Sequence, residues 1–146
     1  MAESKYESKI CAIQAPIAQV YAVLSNFKNF ERVKEFMPKD KIQEIDIEED
    51  IVRIKVDGLG QKIDIRIIDR IHNDTIKFGL DNLPGITANF WIQLKEAAPA
   101  DTRIKLTLKA DIPMMFKLML DKKIQEGLDQ AAMMLTQFPY TQWANI

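Results

Sequence analysis

The sequence predicts an α+β domain, in which a curved antiparallel sheet of about seven strands wraps around a long C-terminal helix and two short helices lie between the first and second strands. Three observations carry this expectation. Leu120, Ile124, Leu128, Ala131, Leu135 and Phe138 recur at spacings of three and four, which sets them on one helical face. Six segments between residues 41 and 110 alternate apolar with polar side chains, as strands covered on one side do. Short turns join these segments, which favours a meander.

Composition narrows the class. The chain has 146 residues, enough for one domain with a sizeable core, and a single domain over 1–146 is expected. Apolar residues make up 47% and charged residues 28%, which describes a globular chain and not a disordered one. A net charge of −1 gives no basis for phosphate-driven nucleic-acid binding. Cys11 is the only cysteine, so an internal disulfide is excluded. No apolar run approaches the roughly 20 residues of a transmembrane helix, and Met1-Ala2-Glu3-Ser4-Lys5 is followed by no signal-peptide core. The expected setting is the cytoplasm.

Taken in order, residues 4–14 read as one strand, with Tyr6, Ile10, Cys11 and Ile13 among polar neighbours. Pro16 opens a helix with Ile17, Val20, Tyr21 and Leu24 on one face. Ser25-Asn26 interrupts it, and Phe27, Phe30, Val33 and Phe36 suggest a second short helix. Residues 41–47 form a strand whose alternation breaks at Glu44. After Glu48-Glu49-Asp50, Val52, Ile54 and Val56 share one face of the next strand. Beyond Gly58-Leu59-Gly60, Ile63, Ile65 and Ile67 point inward, and the adjacent pair Ile67-Ile68 predicts a bulge. His72-Asn73-Asp74 turns into a strand bearing Ile76, Phe78 and Leu80. Leu83-Pro84-Gly85 turns into Ile86, Ala88, Phe90, Ile92 and Leu94. A loop around Pro99 leads to Ile104, Leu106, Leu108 and Ala110. Pro113 suits the first helical position, and Pro139 ends the helix. Lys117, Asp121, Gln125, Glu126, Asp129 and Gln130 fall mainly opposite the apolar face. Gly127, inside the helix, reads as a point of close packing on the sheet.

Three local features stand out: Ala15-Pro16-Ile17-Ala18-Gln19-Val20-Tyr21-Ala22-Val23-Leu24-Ser25-Asn26-Phe27, then Thr102-Arg103-Ile104-Lys105-Leu106, then the closing helix. Together with the element order they resemble the START-related, polyketide cyclase-like superfamily (SRPBCC, helix-grip), in its bacterial small-domain branch. The resemblance covers essentially the whole chain. It implies the helix-grip fold and leaves function open among carriers, cyclases, nucleases and chaperone activators.

The residues themselves offer little chemistry. Gly58-Leu59-Gly60-Gln61-Lys62 reads as a hairpin turn, because no helix follows to help cradle phosphate. His72 reads as a solvated turn residue. A lone His and a lone Cys leave no nitrogen/sulfur metal site, and Glu48-Glu49-Asp50 lacks the ligand spacing of a calcium loop. Cys11 reads as a small buried residue. Trp91 faces outward if Phe90 and Ile92 face inward, covered by the stems of Lys105 or Lys109 or by a partner. Met114, Met115, Met119, Met133 and Met134 read as core filling or as the lining of a deformable cavity. Tyr6, Ser8, Tyr21 and Asn89 are the polar candidates for cavity chemistry, and none forms an evident pair.

The expected function is a carrier or binding protein for an apolar or amphipathic small molecule, lipid-like or polyketide-like, with no catalytic residue, metal or cofactor. Its cavity is expected to be lined by Phe27, Phe30, Val56, Ile65, Phe78, Leu80, Phe90, Ile92, Leu106, Leu108, Leu120, Ile124, Leu128 and Ala131. The mouth is expected at residues 27–36, 58–60 and 83–85 and the closing helix. Two alternatives stay open: a polyketide cyclase/aromatase-like enzyme, and a protein-interaction module of the chaperone-activator type. A homodimer through the face bearing Trp91 is the second expected partnership.

Overall fold

Period-two alternation yields one antiparallel sheet in the computed structural model, which describes residues 3–33, 42–48, 50–56, 62–83 and 86–144. The strands are β1 (Glu3–Glu7), β2 (Cys11–Ile13), β3 (Ile42–Ile47), β4 (Ile51–Val56), β5 (Lys62–Ile71), β6 (Thr75–Asp81), β7 (Thr87–Ala98) and β8 (Asp101–Asp111). Between β2 and β3 lie α1 (Ile17–Leu24), a 3-10 turn (Phe27–Asn29) and α2 (Phe30–Val33). The long helix α3 (Met114–Leu135) and a short α4 (Tyr140–Ala144) close the chain. The sheet order is β1-β8-β7-β6-β5-β4-β3, and β2 also pairs with β8. The consecutive strands β3 to β8 form the expected meander.

The strand expected over residues 4–14 is two strands, and a bulge divides them. Glu7 pairs with Thr107 and Cys11 with Ile104, so the first strand takes four steps where β8 takes three. Ser8 manages the mismatch. Its N–H donates to the Leu106 carbonyl at 2.8 Å, and the Leu106 N–H donates to Ser8 Oγ at 2.9 Å. The side-chain oxygen replaces a ladder carbonyl, so a buried N–H keeps its partner.

The bulge predicted at Ile67-Ile68 is present: Ile67 faces Phe78 and Asp69 faces Lys77, which leaves Ile68 over. Ile68 turns to the outer face, where its Cδ1 would lie 2.7 Å from a Cβ built on Gly79. The break anticipated at Glu44 coincides with a register shift between β3 and β4.

Val52, Ile76, Ile104 and Leu106 are fully buried on the inner face. The closing helix adds Leu128 and Ala132, and Phe138 follows just beyond it. Burying a large apolar side chain is worth about 1.5–3 kcal/mol. The helix is also docked by polar groups. The Tyr6 hydroxyl donates to Asp121, the Gln125 amide donates to the Glu7 carbonyl at 2.8 Å, and the Lys9 N–H donates to Asp129 at 2.8 Å. These three helical residues are four apart and form a stripe along β1, an edge strand of the sheet, and the bulge that follows it, where Gln125 and Asp129 satisfy backbone groups. Part of the polar side of the helix is thus a docking surface.

Three expectations about this helix change. Gly127 is exposed, and a Cβ built on it meets nothing within 4 Å, so it is not a close-packing point. Met114, Met115, Met119 and Met133 are exposed, so they fill no core. After Thr136 the chain turns into α4, which alternation and periodicity did not suggest. Tyr140 anchors it: the ring is buried, and its hydroxyl donates to the Leu135 carbonyl at 2.6 Å, capping the end of α3. Burial pushes the pKa of that hydroxyl far up.

Candidate functional site

A cavity of about 320 Å³ lies between the sheet and the C-terminal half of α3. Its floor is Ile54 of β4, Ile65 of β5, Phe78 and Leu80 of β6, Phe90 and Ile92 of β7 and Leu106 of β8. Ala131, Met134, Leu135 and Phe138 cover it, and Val23 and Leu24 of α1 wall one side with Asn29. Strand alternation explains the floor: each of these residues belongs to the inward set of its strand. Asn29 is the polar exception among the described lining residues, and its side-chain amide donates to the Val23 carbonyl at 3.1 Å. None of these lining residues titrates. The space suits a small apolar molecule.

Ile65, Phe78, Leu80, Phe90, Ile92, Leu106 and Ala131 come together on this wall. Phe27 lies behind it, fully buried, with its ring 5.9 Å from that of Phe78. Leu108, Leu120, Ile124 and Leu128 pack into the core away from the cavity lining. The side chains of Phe30 and Val56 lie outside the described residues, as do residues 34–36, 58–60 and 84–85 of the expected mouth. The expected lining set left out Val23, Leu24, Asn29, Ile54, Leu135 and Phe138, and Met134 takes the cavity-lining role that was one of the two readings open to it. The apolar faces of α1 and α3 signal most of them, but how far along the sheet each helix sits is not written in periodicity.

The polar candidates are engaged elsewhere. Tyr6 is bonded to Asp121, and both burial and that bond raise its pKa. Ser8 completes the β8 ladder. Tyr21 meets His72 edge-on, with ring centroids 5.0 Å apart. Asn89 pairs with Gly79 and Lys109 on the outer face. His72 is exposed, in the turn expected for it. Cys11 is half-buried, less enclosed than expected, with its sulfur 3.9 Å from the Lys9 carbonyl. In the acidic turn, Glu48 pairs with Arg53 at 3.1 Å and Asp50 with Arg70 at 3.3 Å.

Trp91 projects from the outer face opposite Lys77 and Thr107. Lys77 Nζ and Lys109 Nζ lie 5.4 and 5.5 Å from its ring centroid. The indole is half-buried between two ammonium groups, a cation–π arrangement within the chain.

No family model matches the chain, and no curated protein matches it. Solved structures do. A norcoclaurine synthase point mutant from Thalictrum flavum, in complex with a transition-state analogue, superposes with a TM-score of 0.75 at 13% identity, over 99% of this chain and 95% of that one. A conserved protein from Geobacillus kaustophilus gives 0.65 at 14% identity, over 97% and 96%. A START superfamily protein from Mycobacterium smegmatis gives 0.55 at 15% identity, over 88% and 98%. The fold is the helix-grip fold of START-like proteins. At these identities the likeness is one of fold. The START-like sheet and its closing helix create the cavity, and the side chains of this chain make it apolar. Among the described residues, no helix of this chain is long and apolar enough to cross a membrane.

Proposed function

We propose that this START-like protein binds an apolar or amphipathic small molecule between its sheet and its closing helix, without transforming it. The supporting observation is the cavity wall, where Asn29 is the single polar side chain among the described lining residues. Apolar walls with one or two polar groups select ligands by shape and burial. Acid–base catalysis instead needs a titratable group within about 3 Å of the reacting atom, and no such group stands on the described walls. The named synthase shares the fold, and fold alone carries no activity. An interaction role or a homodimer through the Trp91 face is the weaker reading, because Lys77 and Lys109 already flank the indole.

Native mass spectrometry of protein purified without detergent tests the proposal, together with titration by an apolar fluorophore. A co-purifying mass, or saturable binding that the extracted molecule displaces, is the expected result. Absence of both across fatty-acid and aromatic probes would overturn it.

A further inference from the structure

We propose that the first two turns of α3 dock on an anionic lipid surface. Five large apolar side chains crowd this end: Met114 is 80% exposed, Leu118 90% and Met119 66%, and Met115 and Phe116 are exposed beside them. Lys117 stands one turn before Asp121, in line with the stripe that docks on β1, yet it too is exposed. All six residues from Met114 to Met119 are exposed, so the start of the helix is exposed on every side. Farther along, the exposed side is Lys122, Lys123, Glu126 and Gln130, with Met133 as the exception. The apolar exposure is concentrated where the helix begins, and a patch of this kind marks an interaction surface.

Charge selects the occupant. Lys117, Lys122 and Lys123 border the patch, while Asp121 is turned to the Tyr6 hydroxyl. Lys122 lies 3.9 Å from the Glu126 carboxylate, and residues 114–126 carry Lys117, Lys122 and Lys123 against Asp121 and Glu126, so this end is cationic by one charge where the whole chain is −1. The first turn has no acidic side chain, and Pro113 supplies no side-chain cap, so nothing in that turn repels anions. Lysine stems let the ammonium groups reach the phosphate level while Met, Leu and Phe enter the acyl boundary. A second copy of the chain is the poorer occupant. A two-fold contact through this patch would set its lysines against their own copies. The proposal stands apart from the cavity reading and does not require a bound ligand.

Co-sedimentation of the full chain with vesicles tests it. One set is phosphatidylcholine alone, and the other is phosphatidylcholine mixed with phosphatidylglycerol. Binding to the mixed vesicles is expected, weakened by high salt. Leu118→Gln combined with Met119→Gln should lower it roughly tenfold or more. Lys122→Glu with Lys123→Glu should remove the preference for anionic vesicles. All four positions are exposed, so thermal melts should match the parent, and fluorophore titration of the cavity should be unchanged. No vesicle binding, or binding indifferent to both double variants, would overturn the proposal. So would a concentration-dependent dimer, without vesicle binding, that Leu118→Gln and Met119→Gln dissolve.

Discussion

The main-chain N–H of Lys9 donates to the carboxylate of Asp129 at 2.8 Å, joining the β1–β2 bulge to the closing helix across 120 residues of sequence. This contact and its neighbour, Gln125 on Glu7, fasten the helix to a sheet edge whose backbone would otherwise be open.

Asp129 should make stability depend on acid. The Lys9 N–H, and then Gln125, hold its carboxyl below the ordinary value of 3.8. The folded state thus binds this proton less readily than the unfolded chain does. The stabilisation is complete above the ordinary aspartate range and is lost as pH falls through the lower folded value. Asp129→Asn keeps an acceptor for Lys9 but removes the linkage. Its urea midpoint should fall less between pH 5 and pH 3 than that of the parent (pH values about those of the carboxylate window). Parallel declines in the two proteins would contradict the assignment.

Ser8→Ala should destabilise the fold by about 1–3 kcal/mol, because it strips the buried Leu106 N–H of its acceptor. Thermal melting measures this directly. An unchanged melting temperature would mean that the bulge relaxes into an ordinary ladder without Ser8.

Two opposite exchanges should both stabilise. Gly127→Ala places a Cβ in open space on a helix, where Ala is favoured by about 0.8–1.0 kcal/mol. Ala100 sits at φ 60° in the β7–β8 turn, where a side chain is strained by about 1–2 kcal/mol, so Ala100→Gly should recover part of that. A destabilised Gly127→Ala protein would reveal a neighbour for this face.

Ala131→Phe should fill the cavity from its helical roof. Stability should stay within about 1–3 kcal/mol of the parent, while affinity for an apolar fluorophore falls roughly tenfold or more. Undiminished affinity in a folded Ala131→Phe protein would place the bound probe elsewhere.

Alternation in the sequence determined the sheet, its inward set and the Ile67-Ile68 bulge, because a strand's facing repeats every two residues and is a local property. The three-and-four spacing likewise determined which side of the closing helix is apolar. Only the tertiary structure decided how far along the sheet that helix lies. Periodicity gives an angle about the helix axis and carries no axial coordinate. The same apolar face therefore leaves Leu120 and Ile124 packed outside the cavity and puts Ala131, Met134 and Leu135 over it. The exposure of Met114 to Met119 and the docking of Asp121, Gln125 and Asp129 on β1 and the bulge after it have the same origin. They depend on meetings between residues more than a hundred positions apart, which no local pattern encodes.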